Sequence, residues 1–163
     1  MFESSTIQAA SKSDFYRELG QQLSALLAGE PDPIANAANL SALLFQQLPE
    51  LNWAGFYILR GGELVLGPFQ GKPACVRIPV GRGVCGTAVA QAVPLRVDDV
   101  DTFPGHIACD AASRAELVVP LLREGRVVGV IDLDSPVPGR FDAEDEAGIA
   151  ALAAIYLAAS APF

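Results

Sequence analysis

The chain has 163 residues and a mass of 17.1 kDa, one domain's worth, able to bury ~68–70% of its unfolded surface without disulfides. Apolar residues make up 51% and charged residues 18%, which excludes a disordered or collagen-like polymer. The 11 Lys+Arg against 19 Asp+Glu leave a net charge of −8 and a pI of about 4.5, which argues against nucleic acid and anionic membranes as partners.

Mean hydropathy is +0.33. The longest nearly unbroken apolar stretch, residues 147–159, has 13 residues, short of the roughly 17–25 of a membrane span. The start, Met1-Phe2-Glu3-Ser4-Ser5, shows neither a basic nor an apolar leader segment, so a cytoplasmic location is expected.

Residues 1–12 read as a loose arm. Ser13-Asp14 opens a first helix, with Phe15, Leu19, Leu23 and Leu26 as its inner stripe and Gly29 at its end. Asp32-Pro33 opens a second: Asp as N-cap, Pro at the first helical position. Its stripe is Ile34, Ala37, Leu40, Leu44 and Leu48, and Pro49 stops it. The pattern then changes to strands. Residues 53–59 and 63–66 flank a Gly61-Gly62 turn, and 74–79 form a further short strand. After Gly81-Arg82-Gly83 come a short helix over 84–92 and a strand over 95–98.

An irregular segment, 99–115, follows; a stretch of this length without regular structure is usually functional or mobile. Residues 116–123, the turn Glu124-Gly125 and residues 126–134 make the clearest hairpin, and Asp142 caps a closing helix with Ile149, Leu152 and Tyr156 inward. The order implies an α+β fold: an antiparallel sheet with helices packed on one face and a ligand pocket on the other.

Three cysteines, at 75, 85 and 109, and a single histidine leave neither a disulfide framework nor ligands at structural-zinc spacing, so no metal site is expected. Cys109 lies in the irregular segment three residues after His106, as a reactive thiolate with His106 as its activator or as a half-buried thiol. Cys85 falls at a helix N-terminus beside Arg82, where electrostatics favours an acidic thiol; the alternative is a small packing residue. Cys75, in Ala74-Cys75-Val76-Arg77, reads by itself as strand core.

Asp132 and Asp134 share one face of their strand, with Ile131 and Leu133 on the other. With the turn at 124–125, Glu116 pairs near residue 133, so the three carboxylates collect at one end of the hairpin, as a solvated strand end or as a site for a cationic ligand and for proton handling. Three like charges so close cannot all ionise freely. At least one of them is then expected to keep its proton and to be able to donate it. Trp53 and Tyr57 share a strand face, as core aromatics or as walls of an apolar pocket.

Several stretches together resemble the free methionine-R-sulfoxide reductases, a branch of the GAF-domain superfamily. They are Asn52-Trp53-Ala54-Gly55-Phe56-Tyr57; Gly67-Pro68-Phe69-Gln70-Gly71-Lys72-Pro73-Ala74-Cys75; Gly83-Val84-Cys85-Gly86-Thr87-Ala88; Phe103-Pro104-Gly105-His106-Ile107-Ala108-Cys109-Asp110; and Asp132-Leu133-Asp134-Ser135-Pro136. Arg114, just before Glu116, departs from the small polar residues the family more often has there, and puts the local charge in question.

The resemblance implies one GAF domain over residues 1–163, a homodimer, no bound cofactor, and reduction of free methionine-R-sulfoxide with thioredoxin as external reductant. Carried over by position, Cys109 attacks sulfur, Cys75 resolves and Cys85 is auxiliary, which overrides the electrostatic preference for Cys85. Glu116 and Asp134 join the catalytic set; Trp53, Tyr57, Glu116, Asp132 and Asp134 bind substrate. The rival class is a non-enzymatic GAF sensor, which would normally carry an output domain that a chain of this length leaves no room for. A plain thiol peroxidase, a third class, needs no pocket for an organic substrate.

Overall fold

The computed structural model describes residues 5–107 and 110–163. Its centre is a six-stranded antiparallel sheet in the order β3-β2-β1-β6-β5-β4, built from β1 (Trp53–Arg60), β2 (Glu63–Gly71), β3 (Arg77–Pro79), β4 (Leu95–Val97), β5 (Ala115–Arg123) and β6 (Arg126–Ser135). Three long helices, α1 (Lys12–Leu26), α2 (Pro33–Gln47) and α4 (Ala143–Ala159), pack on one face. The short α3 (Gly83–Gln91) lies on the other. The expected α+β architecture is therefore observed, with one addition: the pocket face has a helix of its own.

The helix-covered core follows from the apolar periodicities. Leu19 and Leu23 of α1, Leu40 and Leu44 of α2, and Ile149 and Leu152 of α4 are fully buried against Phe56, Leu117, Ile131 and Leu133 of the sheet. Each such side chain contributes roughly 1.5–3 kcal/mol of transfer free energy. Two details of the stripes differ from the sequence reading. In α1 the cap is Ser11, whose Oγ accepts from Asp14 N at 3.1 Å, so the helix starts earlier and Tyr16 turns inward. In α2 the Asp32 cap and Pro33 are as expected, but Ile34, in the first turn, is 44% exposed.

Asp142 caps α4 through a reciprocal capping box with Asp145. Residues 5–11 form neither helix nor strand; Gln22 and Gln47 both donate to the Ser5 carbonyl, and Ile7 packs on the core.

Both predicted hairpin turns are present, and in each the two central residues have positive φ: 60° and 86° at Gly61-Gly62, 53° and 77° at Glu124-Gly125, the mirror-image turn geometry that two-residue hairpins need. The strand expected over 74–79 shrinks to Arg77–Pro79, an edge strand paired only with the start of β2. Cys75 thus sits in the preceding loop, half-buried, and is not strand core. Among the described residues of the segment 99–115, the chain is irregular apart from one 3-10 turn, Val100–Thr102, and the first residue of β5. No helix among the described residues is long and apolar enough to cross a membrane.

Candidate active site

The site is written by the alternation of β5 and β6. Ile131 and Leu133 face the helices, and Asp132 and Asp134 face the opposite side. Glu116 joins them because of a bulge. The hairpin pairs Arg123 with Arg126 and Leu122 with Val127, then slips one residue, so that Leu121 pairs with Gly129 and Glu116 with Asp134. Without the slip, Glu116 would lie opposite Leu133 and on its face, because a one-residue change of register reverses every side chain. The simple count from the turn placed Glu116 near residue 133; the bulge is what makes the three carboxylates one cluster.

The wall beside them is aromatic. Trp53 stacks between Tyr57 (centroids 5.8 Å apart, planes at 25°) and Phe69 (5.3 Å, 14°). Gly55, between the first two on the same strand face, leaves the room: a Cβ there would lie 2.6 Å from Trp53 Cη2. Trp53 and Tyr57 are 3% and 1% exposed. Both anchor the loop before β3, Trp53 Nε1 donating to Lys72 O at 3.2 Å and Tyr57 OH to Cys75 O at 2.9 Å. They are pocket wall and loop support at once. Phe69 and Gly55 lie within the stretches that carry the resemblance, and the aromatic–glycine–aromatic order of Trp53, Gly55 and Tyr57 at every second residue is the signal for a stack.

Trp53, Tyr57, Cys85, Glu116, Asp132, Asp134, His106, Ile107, Asp110 and Ser113 line one cavity. Burial dominates its electrostatics. Asp132 is pushed up to about 7, first by desolvation. Glu116 and Asp134 are pushed well above the carboxylate range by desolvation and then by Asp132. Asp132 Oδ1 is buried and has no hydrogen-bond partner among the described residues. No Lys or Arg among them forms an ion pair with any of the three; Arg114 turns away to Asp99 and Asp101, at 3.4 Å each. Its presence in the sequence therefore leaves the cluster's charge intact.

Cys85 overturns the electrostatic reading. It does stand in the first turn of α3, but the thiol is 3% exposed and its Sγ lies 3.8 Å from Glu116 Oε1. Burial, then Asp132 and Glu116, hold it well above the usual thiol range. A helix terminus and a neighbouring Arg82 do not offset two carboxyl groups in a dry site. Cys85 is a free thiol, whereas Cys75 is disulfide-bonded. Cys109 lies outside the described residues, and so does its expected activation by His106. His106 itself turns to Glu116, Nε2 to Oε2 at 3.7 Å. Burial lowers its pKa below the ordinary value, so at neutral pH this is a contact of a neutral imidazole and not an ion pair.

A polar frame missing from the sequence reading ties the loops together. Asp110 accepts from Ala112 N at 2.9 Å and from Asn52 Nδ2 at 3.3 Å, and pairs with Lys72 Nζ at 3.3 Å; Asn52 also donates to Ser113 at 3.0 Å. Its members come from three separate stretches, so no spacing pattern could have announced it.

Comparison with known proteins agrees with this geometry. The GAF domain family model matches residues 35–159. A free methionine-R-sulfoxide reductase of Escherichia coli (strain K12) is 57% identical over 143 residues, covering 88% of this chain and 87% of that protein. A Saccharomyces cerevisiae protein of the same name is 41% identical over 131 residues, covering 76% and 73%. The X-ray structure of free methionine-R-sulfoxide reductase from Neisseria meningitidis in complex with its substrate superposes with a TM-score of 0.93 at 43% identity, covering 98% of this chain and 95% of that one. In sequence, fold and the cavity that both build, the chain belongs to the free methionine-R-sulfoxide reductase family of GAF-domain proteins.

Proposed function

We propose that the protein reduces free methionine-R-sulfoxide to methionine in this cavity. The observation that carries the reading is the pairing of a stacked aromatic wall with three buried carboxyl groups that no Lys or Arg among the described residues neutralises. A free amino acid supplies what such a site lacks. Its ammonium answers Asp132, whose Oδ1 has no hydrogen-bond partner among the described residues, and its S-methyl group lies against Trp53 and Tyr57. A peptide nitrogen carries no such charge, so peptidyl methionine sulfoxide is a poor substrate. The relatives of the same name support the assignment.

In the reaction, the Cys109 thiolate attacks the sulfoxide sulfur while a carboxyl group gives a proton to the sulfoxide oxygen. Glu116 and Asp134, held protonated by burial and by Asp132, are the donors. Attack forms a bond between Cys109 Sγ and the methionine sulfur; the protonated oxygen then passes to Sγ as the methionine S–O bond and the new S–S bond break, so that methionine leaves and Cys109 carries a sulfenic acid. The Cys75 thiol then displaces it as water and forms a disulfide with Cys109. Two electrons and two protons from thioredoxin return both cysteines to thiols, and no bound cofactor takes part. That Cys75 is disulfide-bonded while Cys85 is free supports Cys75 as the resolving thiol. Cys85, protonated and buried, is auxiliary and replaces Cys75 slowly when that residue is lost. The working unit is a homodimer.

A single-turnover experiment tests the thiol roles. Cys109→Ser releases no methionine. Cys75→Ser releases about one per chain and then stalls with thioredoxin, because attack precedes disulfide formation. The opposite pattern, or equal rates with free and peptidyl sulfoxide, overturns the reading.

A further inference from the structure

We propose that the pocket face also forms a binding site for a zinc-class divalent cation, made by Cys85, Glu116 and Asp132 with the fourth position open to water, and that the bound cation excludes substrate. Only the exclusion rests on the proposed reaction; the cation site stands on its own geometry. One donor atom from each of Cys85, Glu116 and Asp132 lies within 4.8 Å of the others. Cys85 Sγ is 3.8 Å from Glu116 Oε1, and His106 Nε2 is 3.7 Å from Glu116 Oε2. The edges of a tetrahedron around zinc, with bonds of ~2.0 Å to oxygen or nitrogen and ~2.3 Å to sulfur, are ~3.3–3.5 Å. The Cys85–Glu116 contact closes onto a metal with a contraction of a few tenths of an ångström, and the remaining separations within the three-donor set, up to 4.8 Å, close by up to about 1.5 Å; His106, at the other Glu116 oxygen, stands outside that set.

A second observation points to a ligand. Asp132 is 6% exposed, lines the cavity, and its Oδ1 has no hydrogen-bond partner among the described residues. A cation satisfies that oxygen. The donor set selects the cation: one thiolate and two carboxylates suit a borderline ion such as zinc, while calcium and magnesium demand six or more oxygens. The three donors stand on α3, β5 and β6, elements that hold them close together. Binding moves the displaced protons of the thiol and the carboxyls to water. No spacing in the sequence announces the site, because its ligands are separated by tens of residues and meet only in the folded sheet.

The test uses the full chain, reduced, with cobalt(II) as the spectroscopic probe. We expect about one cobalt per chain with a thiolate-to-cobalt charge-transfer band, displaced by zinc, and slower cobalt uptake when methionine-R-sulfoxide is present. Cys85→Ser removes the band; Asp132→Asn, which keeps the side-chain shape, weakens cobalt binding ~10-fold or more. Circular dichroism confirms that each variant is folded, and the two variants at different elements guard against loss through misfolding of one. Absence of the band in the parent, or a band that survives Cys85→Ser, overturns the site. Cobalt binding indifferent to the sulfoxide overturns the exclusion. A parent that binds cobalt at Cys85 without reducing the sulfoxide refutes the proposed reaction and supports the cation site.

Discussion

Two buried carboxylates on opposite faces of the sheet have been solved in opposite ways. Asp145, 1% exposed on the helix side, accepts from Tyr16 OH at 2.8 Å and from its capping partner Asp142 N at 2.9 Å, and pairs with Lys12 at 2.8 Å and Arg140 at 3.3 Å. Asp132, 6% exposed on the pocket side, has another carboxyl, a thiol and an unpartnered oxygen. The first arrangement leaves nothing for a ligand to supply. The second leaves an uncompensated group in a cavity, which costs stability and marks where an ammonium or a metal ion would be welcome.

The largest effect that would sharpen this contrast is on stability. Removing Asp145 strands two cations and a tyrosine hydroxyl, so Asp145→Ala lowers the unfolding free energy by about 3 kcal/mol, read by urea denaturation. Asp132→Asn, removing a buried group that no cation balances, leaves the urea midpoint at pH 8 unchanged or higher. Equal losses in the two variants would erase the distinction between the faces.

Next comes activity. Glu116→Gln lowers the rate of the first chemical step ~10²-fold if Glu116 is the proton donor, with no loss of stability, while Asp132→Asn mainly raises KM. Stopped-flow measurement of methionine release separates the two, and parental rates in both would reduce the cluster to a strand end.

The smallest effect is the pH signature, which has opposite sign on the two faces. Asp132 has a folded-state pKa near 7 against an unfolded value of about 4. The folded state then holds a proton that the unfolded state has released, so stability falls as pH rises from about 4 to about 7. Glu116 and Asp134, also raised, act in the same direction; Cys85 adds to it only at more alkaline pH, and His106, lowered, favours the folded state above its own titration. On the helix side, the Lys12 ammonium holds Asp142 down at about 2. Its contribution is present above about pH 4 and is lost as pH falls toward 2, and it is small because the pair is largely exposed. Urea midpoints at pH 3, 5 and 8 should show Asp132→Asn losing part of the alkaline decline and Asp142→Asn losing part of the acid one. A decline unchanged in Asp132→Asn would refute the assignment.

Much of the fold was legible because its signals are local. Asp32-Pro33, Asp142 with Asp145, Gly61-Gly62 and Glu124-Gly125 each fix a boundary through their own backbone chemistry. The apolar stripes of α1, α2 and α4 name the buried face at helical period. The misreadings arose where a neighbour decided. Ser13 looked like a cap until Ser11 reached Asp14 N. Cys75 looked like strand core until the edge strand proved too short to include it.

The sequence by itself determined the parts of the site: Trp53 and Tyr57 on one strand face, Asp132 and Asp134 on another, because side-chain direction in a strand depends only on parity. Tertiary structure decided how those parts act. The slip between Leu121 and Leu122 carried Glu116 onto the face of Asp132, and the packing of α3 over β5 and β6 buried Cys85 against both carboxyls. A register depends on an extra residue somewhere along a pair of strands, and a pKa depends on which groups are denied water. Both are properties of two or more chain segments brought together, so neither can be read from one segment alone.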